Sequence, residues 1–197
     1  MGSTSALFFD IIINVAILLL FFRFLMQLAG VNSYNPVVLS TTKATKIVDV
    51  FGRILPTIAG GRVNLAALVL TVLLYFLKVF GFKYLNAQPT GGAGYFILTT
   101  VLSMLHSLVS ILKYLLFAYI ICSWILMFSQ TRSPYIDVIQ ELAEPMLAPF
   151  RKIMPNMGMI DLSPILAFFT SYIAQMMLSS IVYIKIKKGR RGVLFFI

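Results

Sequence analysis

The sequence predicts an all-α polytopic membrane protein, with four transmembrane helices in two parallel repeats and an interfacial amphipathic helix in each repeat. Three observations carry this expectation. The 197 residues are 60% hydrophobic and 11% charged, with a mean hydropathy of +0.95, whereas an ordinary soluble domain carries about 25% charged residues. Residues 6–29, 63–80, 114–128 and 160–184 form long apolar runs with few charges, as helices that cross a bilayer need, at roughly 17 to 25 residues each. A proline-containing polar pattern also occurs twice, about a hundred residues apart.

The first span is the run LFFDIIINVAILLLFFRFLMQLA. No basic n-region precedes it and no small-residue cleavage motif follows, so it is expected to remain a span rather than be removed as a signal peptide. GVNSYNP then breaks the helix, because Asn35 stands before Pro36 and is pushed out of helical geometry. Over residues 37–55, Val37, Val48, Phe51 and Leu55 recur at helical spacing among polar residues, which predicts one surface helix. Residues 81–95, with Gly and Pro, are the linker between a first unit (1–80) and a second (96–197, ending in the basic tail). Residues 96–113 continue apolar into the third span; the combined run is too long for one perpendicular helix and has to tilt, kink or protrude.

In the second unit, Tyr135, Ile139, Leu142, Met146, Phe150 and Ile153 fall three or four apart, with Asp137, Gln140, Glu141, Glu144, Arg151 and Lys152 on another face. A helix of this kind lies in the headgroup plane. Pro145 and Pro149 each remove a backbone donor and are expected to kink or break it. Aligning Phe51–Pro56 with Phe150–Pro155 gives F-x-[RK]-I-[LM]-P twice; Asn64 then falls opposite Asp161, and Asn35-Pro36 opposite Ser133-Pro134. Each unit holds two spans, so both enter the membrane from the same side and their elbows share one bilayer face.

Charge and composition narrow the functional classes. The net charge of +10 on a chain of spans points to anionic lipid headgroups rather than nucleic acid. Cys122 is the only cysteine and His106 the only histidine, so no internal disulfide and no zinc site of ordinary ligand number can form. No phosphate loop, Ser-His-Asp set or H-E-x-x-H is present, and the expectation is a protein without enzymatic activity, metal or cofactor. His106 is expected to be hydrogen-bonded locally.

Several residues carry two open readings. Arg23 and Gln27 lie one turn apart near the end of span one; Arg23 either snorkels to phosphates or turns inward to a carboxylate or carbonyl. Asp10 and Asn14 form a similar pair, read as solvated or capping. Asn64 and Asp161 suit helix caps, and Ser163-Pro164 suits a helix start; the other reading of Asp161 is that it binds a partner or pairs with Arg151, a short turn away. Arg151-Lys152, with Glu144, Pro145, Pro149 and Pro155 around them, form either a lipid-phosphate clamp or a protein-docking surface. Glu141 and Glu144 are read as a hydrated charge mix. Lys113 is a functional ionisable group if it lies deep in a span, and an interfacial one if the third helix protrudes. Ser163, Ala167 and Ser171, like Ala118 and Cys122, are small residues at four-residue spacing, suited to close helix packing.

At the duplicated residues the chain resembles the YggT (YlmG) family of small bacterial and plastid membrane proteins. Members carry one or two units of R-x-x-x-Q…N-P…[ET]-x-P-x-x-x-P-x-R-R-x-x-P…D-x-S-P. The second unit supplies Ser133-Pro134, Glu144-Pro145, Pro149, Arg151-Lys152, Pro155 and Asp161-Leu162-Ser163-Pro164; the first supplies Arg23, Gln27, Asn35-Pro36, Thr45, Arg53 and Pro56. Lys46 and Val50 depart from the pattern's prolines, Gly52 from an arginine and Asn64 from the aspartate. The resemblance implies a multi-pass protein of the bacterial inner membrane, associated with cell division or envelope organisation, osmotic-stress tolerance or, in plastids, assembly of a cytochrome complex. It points to a non-catalytic assembly factor acting through its Pro/Arg corners on anionic headgroups, another membrane protein or itself as a homo-oligomer. The alternative is an oligomeric channel or transporter for an ion or osmolyte, lined by Arg23, Gln27 and Lys113.

Orientation is balanced: seven basic residues fall on the elbow side and seven on the other. Recurrence of the elbows favours placing them in the cytoplasm, and the terminal KIKKGRR favours the reverse.

Overall fold

A computed structural model describes residues 4–85, 92–129, 133–153 and 161–194, with side chains as far as residue 181. The chain is an all-α membrane protein. Four helices are long and apolar enough to span: α1 (Thr4–Ala29), α4 (Leu65–Leu85), α5 (Ala93–Ser129) and the Ser163–Ile181 part of α7 (Ser163–Leu194). Between them lie α2 (Pro36–Ala44), α3 (Ile47–Phe51), a small antiparallel hairpin of β1 (Thr57–Ile58) and β2 (Val63–Asn64), and α6 (Pro134–Ile153).

Most of the apolar side chains on the spans face outward, among them Phe8, Ile12, Leu73, Phe117 and Ile173. That is the expected surface where lipid is the solvent, because helix association then depends on close packing rather than on removing grease from water. The core is correspondingly thin. Leu20, Val48, Ala66, Ala67 and Leu70 pack α1, α3 and α4 together, and Leu116, Tyr119, Ala143, Leu147 and Ala167 pack α5, α6 and α7. Small residues sit where helices approach: Ala66, Ala67, Ser163 and Ala167 are fully buried.

α5 joins the two halves as one uninterrupted helix that includes residues 96–113. At 1.5 Å per residue it is about 55 Å long, against about 30 Å of hydrocarbon. Its N-terminal half packs on the first pair of spans, with Phe96 6.1 Å from Phe76 and Met104 and Leu108 against Ile13, Ile17 and Tyr75. Its C-terminal half packs on α6 and α7.

Two expectations for the elbows are corrected. The single helix expected over residues 37–55 is two short helices, broken at Thr45-Lys46. Arg23 satisfies the backbone at the break: its Nη1 donates to the carbonyl oxygens of Thr42 at 3.3 Å and Thr45 at 2.8 Å. Conversely, α6 runs unbroken through Pro145 and Pro149. The carbonyls those prolines leave without a donor belong to Glu141 and Pro145, both exposed, where water can hydrate them.

The two elbows touch. Asn35 Nδ2 donates to the Pro134 carbonyl at 3.0 Å, the Asn32 amide donates to Glu141 Oε2 at 3.1 Å, and Met26, Val31, Val138 and Leu142 share a cluster with Leu115. Both turns therefore lie at the same end of the helical bundle.

Candidate functional site

The second elbow is organised by Arg151, on the last turn of α6. Its Nε donates to Asp161 Oδ2 at 2.9 Å, its Nη1 pairs with Glu144, and its Nη2 donates to the Tyr119 hydroxyl at 3.1 Å. One guanidinium thus ties α5, α6 and the start of α7 together. A planar fork with several fixed donors suits such a junction, which the single point charge of lysine could not make. Asp161 also accepts from the Ser163 amide at 2.9 Å, so it both caps the entry to α7 and pairs with Arg151; the two readings of this residue are both realised. Burial pushes the Asp161 carboxyl up, but hydrogen bonds from the Ser163 side chain and amide and from Arg151, with the arginine's charge, outweigh it and hold Asp161 below the usual carboxylate range. For Arg151, burial acts downward and its bonds to Asp161 and Glu144 more than offset it, so the guanidinium is held charged.

Around this junction Ser163 and Pro164 are buried, Pro145 and Pro149 are exposed on α6, and Lys152 is exposed beside Arg151. Pro155 lies outside the described residues. Glu141 and Glu144 are not simply hydrated, since the first accepts from Asn32 and the second pairs with Arg151.

The first elbow reaches a comparable end with different residues. Where Phe150 aligns with Phe51, Gly52 falls opposite Arg151, yet a guanidinium is present: Arg23, from the span α1, bonds the Thr42 and Thr45 carbonyls and the Thr45 hydroxyl and pairs with Asp49. Gln27, one turn on, donates to the Gly61 carbonyl at 2.6 Å and accepts from Asn64 Nδ2 at 2.8 Å. Asn64 in turn caps α4 by accepting from the Ala67 amide at 3.0 Å. Asn35 Oδ1 caps α2 by accepting from Val37 at 2.9 Å, with Pro36 as the first helical residue. Arg53 is exposed. The inward reading of Arg23 is thus the observed one.

Lys113 stands apart from both elbows, within α5. Its Nζ donates to Gln175 Oε1 at 2.5 Å and lies 4.9 Å from the Tyr114 ring centre and 5.7 Å from that of Tyr172. Gln175 Nε2 donates to the Ser110 hydroxyl and lies 3.5 Å from His106 Nε2. His106 therefore faces a residue across the helix pair rather than a local one. Gln175 is twelve residues past Ser163, about 18 Å along α7, so this cluster sits within the span. An outward-opening groove of about 340 Å³ lies beside it, lined by Lys113, Phe117, Phe168, Phe169 and the two tyrosines. Lys113 does not meet Arg23 or Gln27, which are engaged at the first elbow. Asp10 and Asn14 are likewise not merely solvated: they bond each other at 2.8 Å, and Lys78 of α4 reaches Asn14 at 2.8 Å and Asp10 at 3.5 Å.

Sequence spacing missed Tyr119, Asp49 and Gln175. Each meets its partner across 26 to 62 residues of chain, and nothing in local periodicity marks such a pair.

Comparison with known proteins decides the family. The model of the family described as CCB3/YggT matches residues 98–182, which contain the whole second elbow. An uncharacterised protein of Pseudomonas aeruginosa is 32% identical over 169 residues, covering 83% of this chain and 82% of its own. The Escherichia coli protein named YggT, also uncharacterised, is 31% identical over 177 residues, covering 88% of each chain. The chain belongs to the YggT family. A Haemophilus influenzae relative, 32% identical over 168 residues, covers 85% of this chain and 87% of its own. No solved structure matches. The first elbow, which departs from the pattern at Lys46, Val50, Gly52 and Asn64, lies outside the residues that the family model matches.

Proposed function

We propose that this YggT-family protein is a non-catalytic assembly factor of the bacterial inner membrane, acting through its two elbows on a neighbouring membrane protein and on anionic lipid. The observation that carries the reading is the Arg151 junction. Two carboxylates and a tyrosine hydroxyl occupy its guanidinium, so its role is to hold α6 rigidly against α5 and α7 rather than to meet a ligand itself. The fixed helix then presents Lys152, Tyr135 and Ile153, all exposed, as an amphipathic surface at the bilayer boundary. A rigid polar and apolar face suits docking, because little ordering entropy opposes binding to a preformed surface. The two units read as tandem repeats whose elbows form one continuous platform.

A photo-crosslinking residue at Lys152 in native membranes tests this proposal. The expected product is an adduct with one membrane protein, or with a second copy of this chain, that is lost when Arg151 is replaced by Ala. Adducts with lipid alone would overturn it.

One observation favours a second reading. Lys113, Gln175, Ser110 and His106 form a connected polar cluster within the spans, where ionisable groups are expensive and by default functional. An oligomeric channel or osmolyte transporter would use it. Solute flux into liposomes that depends on Lys113 supports that reading; tight liposomes exclude it.

A further inference from the structure

The two elbows touch but differ in charge. Residues 128–161 hold three bases, Arg132, Arg151 and Lys152, against four acids, Asp137, Glu141, Glu144 and Asp161. Residues 30–64 hold four bases, Lys43, Lys46, Arg53 and Arg62, against one acid, Asp49, and Asp49 is taken by Arg23 of the span. All four bases are exposed, and none has a carboxylate partner among the described residues.

Beside these cations runs an exposed apolar row. Ile47, Val50 and Ile54 follow one another at helical spacing, and Ile58 lies on the hairpin; they are 55%, 61%, 78% and 53% exposed. Burying such side chains in acyl chains while neighbouring lysines and arginines reach phosphate is how a surface segment lies in a leaflet. The position of the segment leaves few alternatives. Gln27, near the end of α1, bonds both Gly61 in the hairpin loop and Asn64 at the start of α4, so the hairpin is pinned between the ends of two spans and has to meet the leaflet they cross. Its loop is held tightly, with Ala59, Gly60 and Gly61 at φ 55°, 65° and 86°. The departures from the second elbow also make sense in this light, since Lys46 and Val50 stand where that elbow has Pro145 and Pro149, and thereby add one base and one apolar side chain.

We infer that the first elbow is a binding site for anionic phospholipid, in which Lys43, Lys46, Arg53 and Arg62 hold headgroup phosphates while Ile47, Val50, Ile54 and Ile58 enter the acyl layer. The inference rests on the proposed placement of the elbows at the bilayer boundary and names the partner of the first one. Partner docking then belongs to the second elbow, whose excess of acids disfavours anionic lipid.

The test uses the full chain in nanodiscs of mixed phosphatidylglycerol and phosphatidylcholine, with Ile54→Cys in a Cys122→Ser background carrying an environment-sensitive fluorophore. One lipid at a time carries a bromine quencher on its acyl chain. Brominated phosphatidylglycerol is expected to quench at least about fivefold more per mole than brominated phosphatidylcholine, roughly the share of a single base near an anionic surface. The preference is expected to vanish in K43Q/K46Q/R53Q/R62Q and to persist in K43R/K46R/R53K/R62K, which keeps the charge and controls for folding. Equal quenching by the two lipids, a preference that survives loss of all four charges, or no quenching at all overturns the inference. Crosslinking from Lys152 reads the second elbow alone, so failure of one proposal is distinguishable from failure of the other.

Discussion

Replacing Arg151 by Ala removes three contacts at once and leaves their partners in place. Glu144 and Asp161 have side chains 56% and 42% exposed, so solvent screens both pairs and each contributes about 0.5 kcal/mol. The bond to the Tyr119 hydroxyl differs, because Tyr119 is buried and loses its partner away from bulk water; a hydrogen bond to a charged group contributes about 1.5 kcal/mol. The total is about 2.5 kcal/mol, which for a chain of this length corresponds to a fall in Tm of about 5 to 10 °C. Cys122 supplies the assay. It is the only cysteine and it is buried on α5, one turn from Tyr119, so the onset of its reaction with a fluorogenic maleimide on heating in detergent reports loss of α5 packing. Lys152→Ala, which removes an exposed base next door, is the control and is expected to shift the curve by less than about 2 °C. If the two variants melt together, Arg151 does not hold the junction and the rigid-elbow argument fails.

Further outcomes follow from other contacts. A Cβ built at Gly81 comes within 2.3 Å of the Phe9 ring, so Gly81→Val is expected to destabilise the α1–α4 pair by about 1 to 3 kcal/mol, with Phe9→Ala partly restoring the melting curve. Gln175→Leu deprives the Lys113 ammonium of its carbonyl partner within the span and is expected to cost about 1 kcal/mol, whereas K113M/Q175L removes both polar groups and is expected to melt nearer the parent. Because Asp161 is held below the usual carboxylate range, its contribution to stability is full above its ordinary value of 3.8 and is lost as pH falls further, through its depressed one. Stability curves of the parent and Asp161→Asn are therefore expected to differ at pH 6 and to converge in strong acid; a constant difference across that range contradicts the ion pair.

How much of this was legible in the sequence depends on the range of the signal. The four spans, the three-to-four residue period of the segment around residues 135–153 and the small-residue contact at Ser163 and Ala167 are local in sequence, and these are legible in it. The break at Thr45-Lys46 is not legible locally, because the side chain that bonds its carbonyls, Arg23, lies nineteen to twenty-two residues upstream. The unbroken passage through Pro145 and Pro149 depends on a tertiary fact, that the residues whose carbonyls they leave free, Glu141 and Pro145, are exposed. At the candidate site the sequence supplied Arg151 and Asp161 together, since only ten residues separate them. Tyr119, Asp49 and Gln175 each needed the tertiary structure.

The two elbows in mutual contact underlie both proposals, and sidedness tests that contact most directly. Single cysteines in place of Arg53 and of Lys152, each in a Cys122→Ser background, are exposed to a membrane-impermeant maleimide in sealed vesicles of one orientation. Both are expected to react or both to be protected, with the pattern inverting together in vesicles of the opposite orientation. One cysteine labelled and the other protected in the same vesicles would place the elbows on opposite faces and contradict the account.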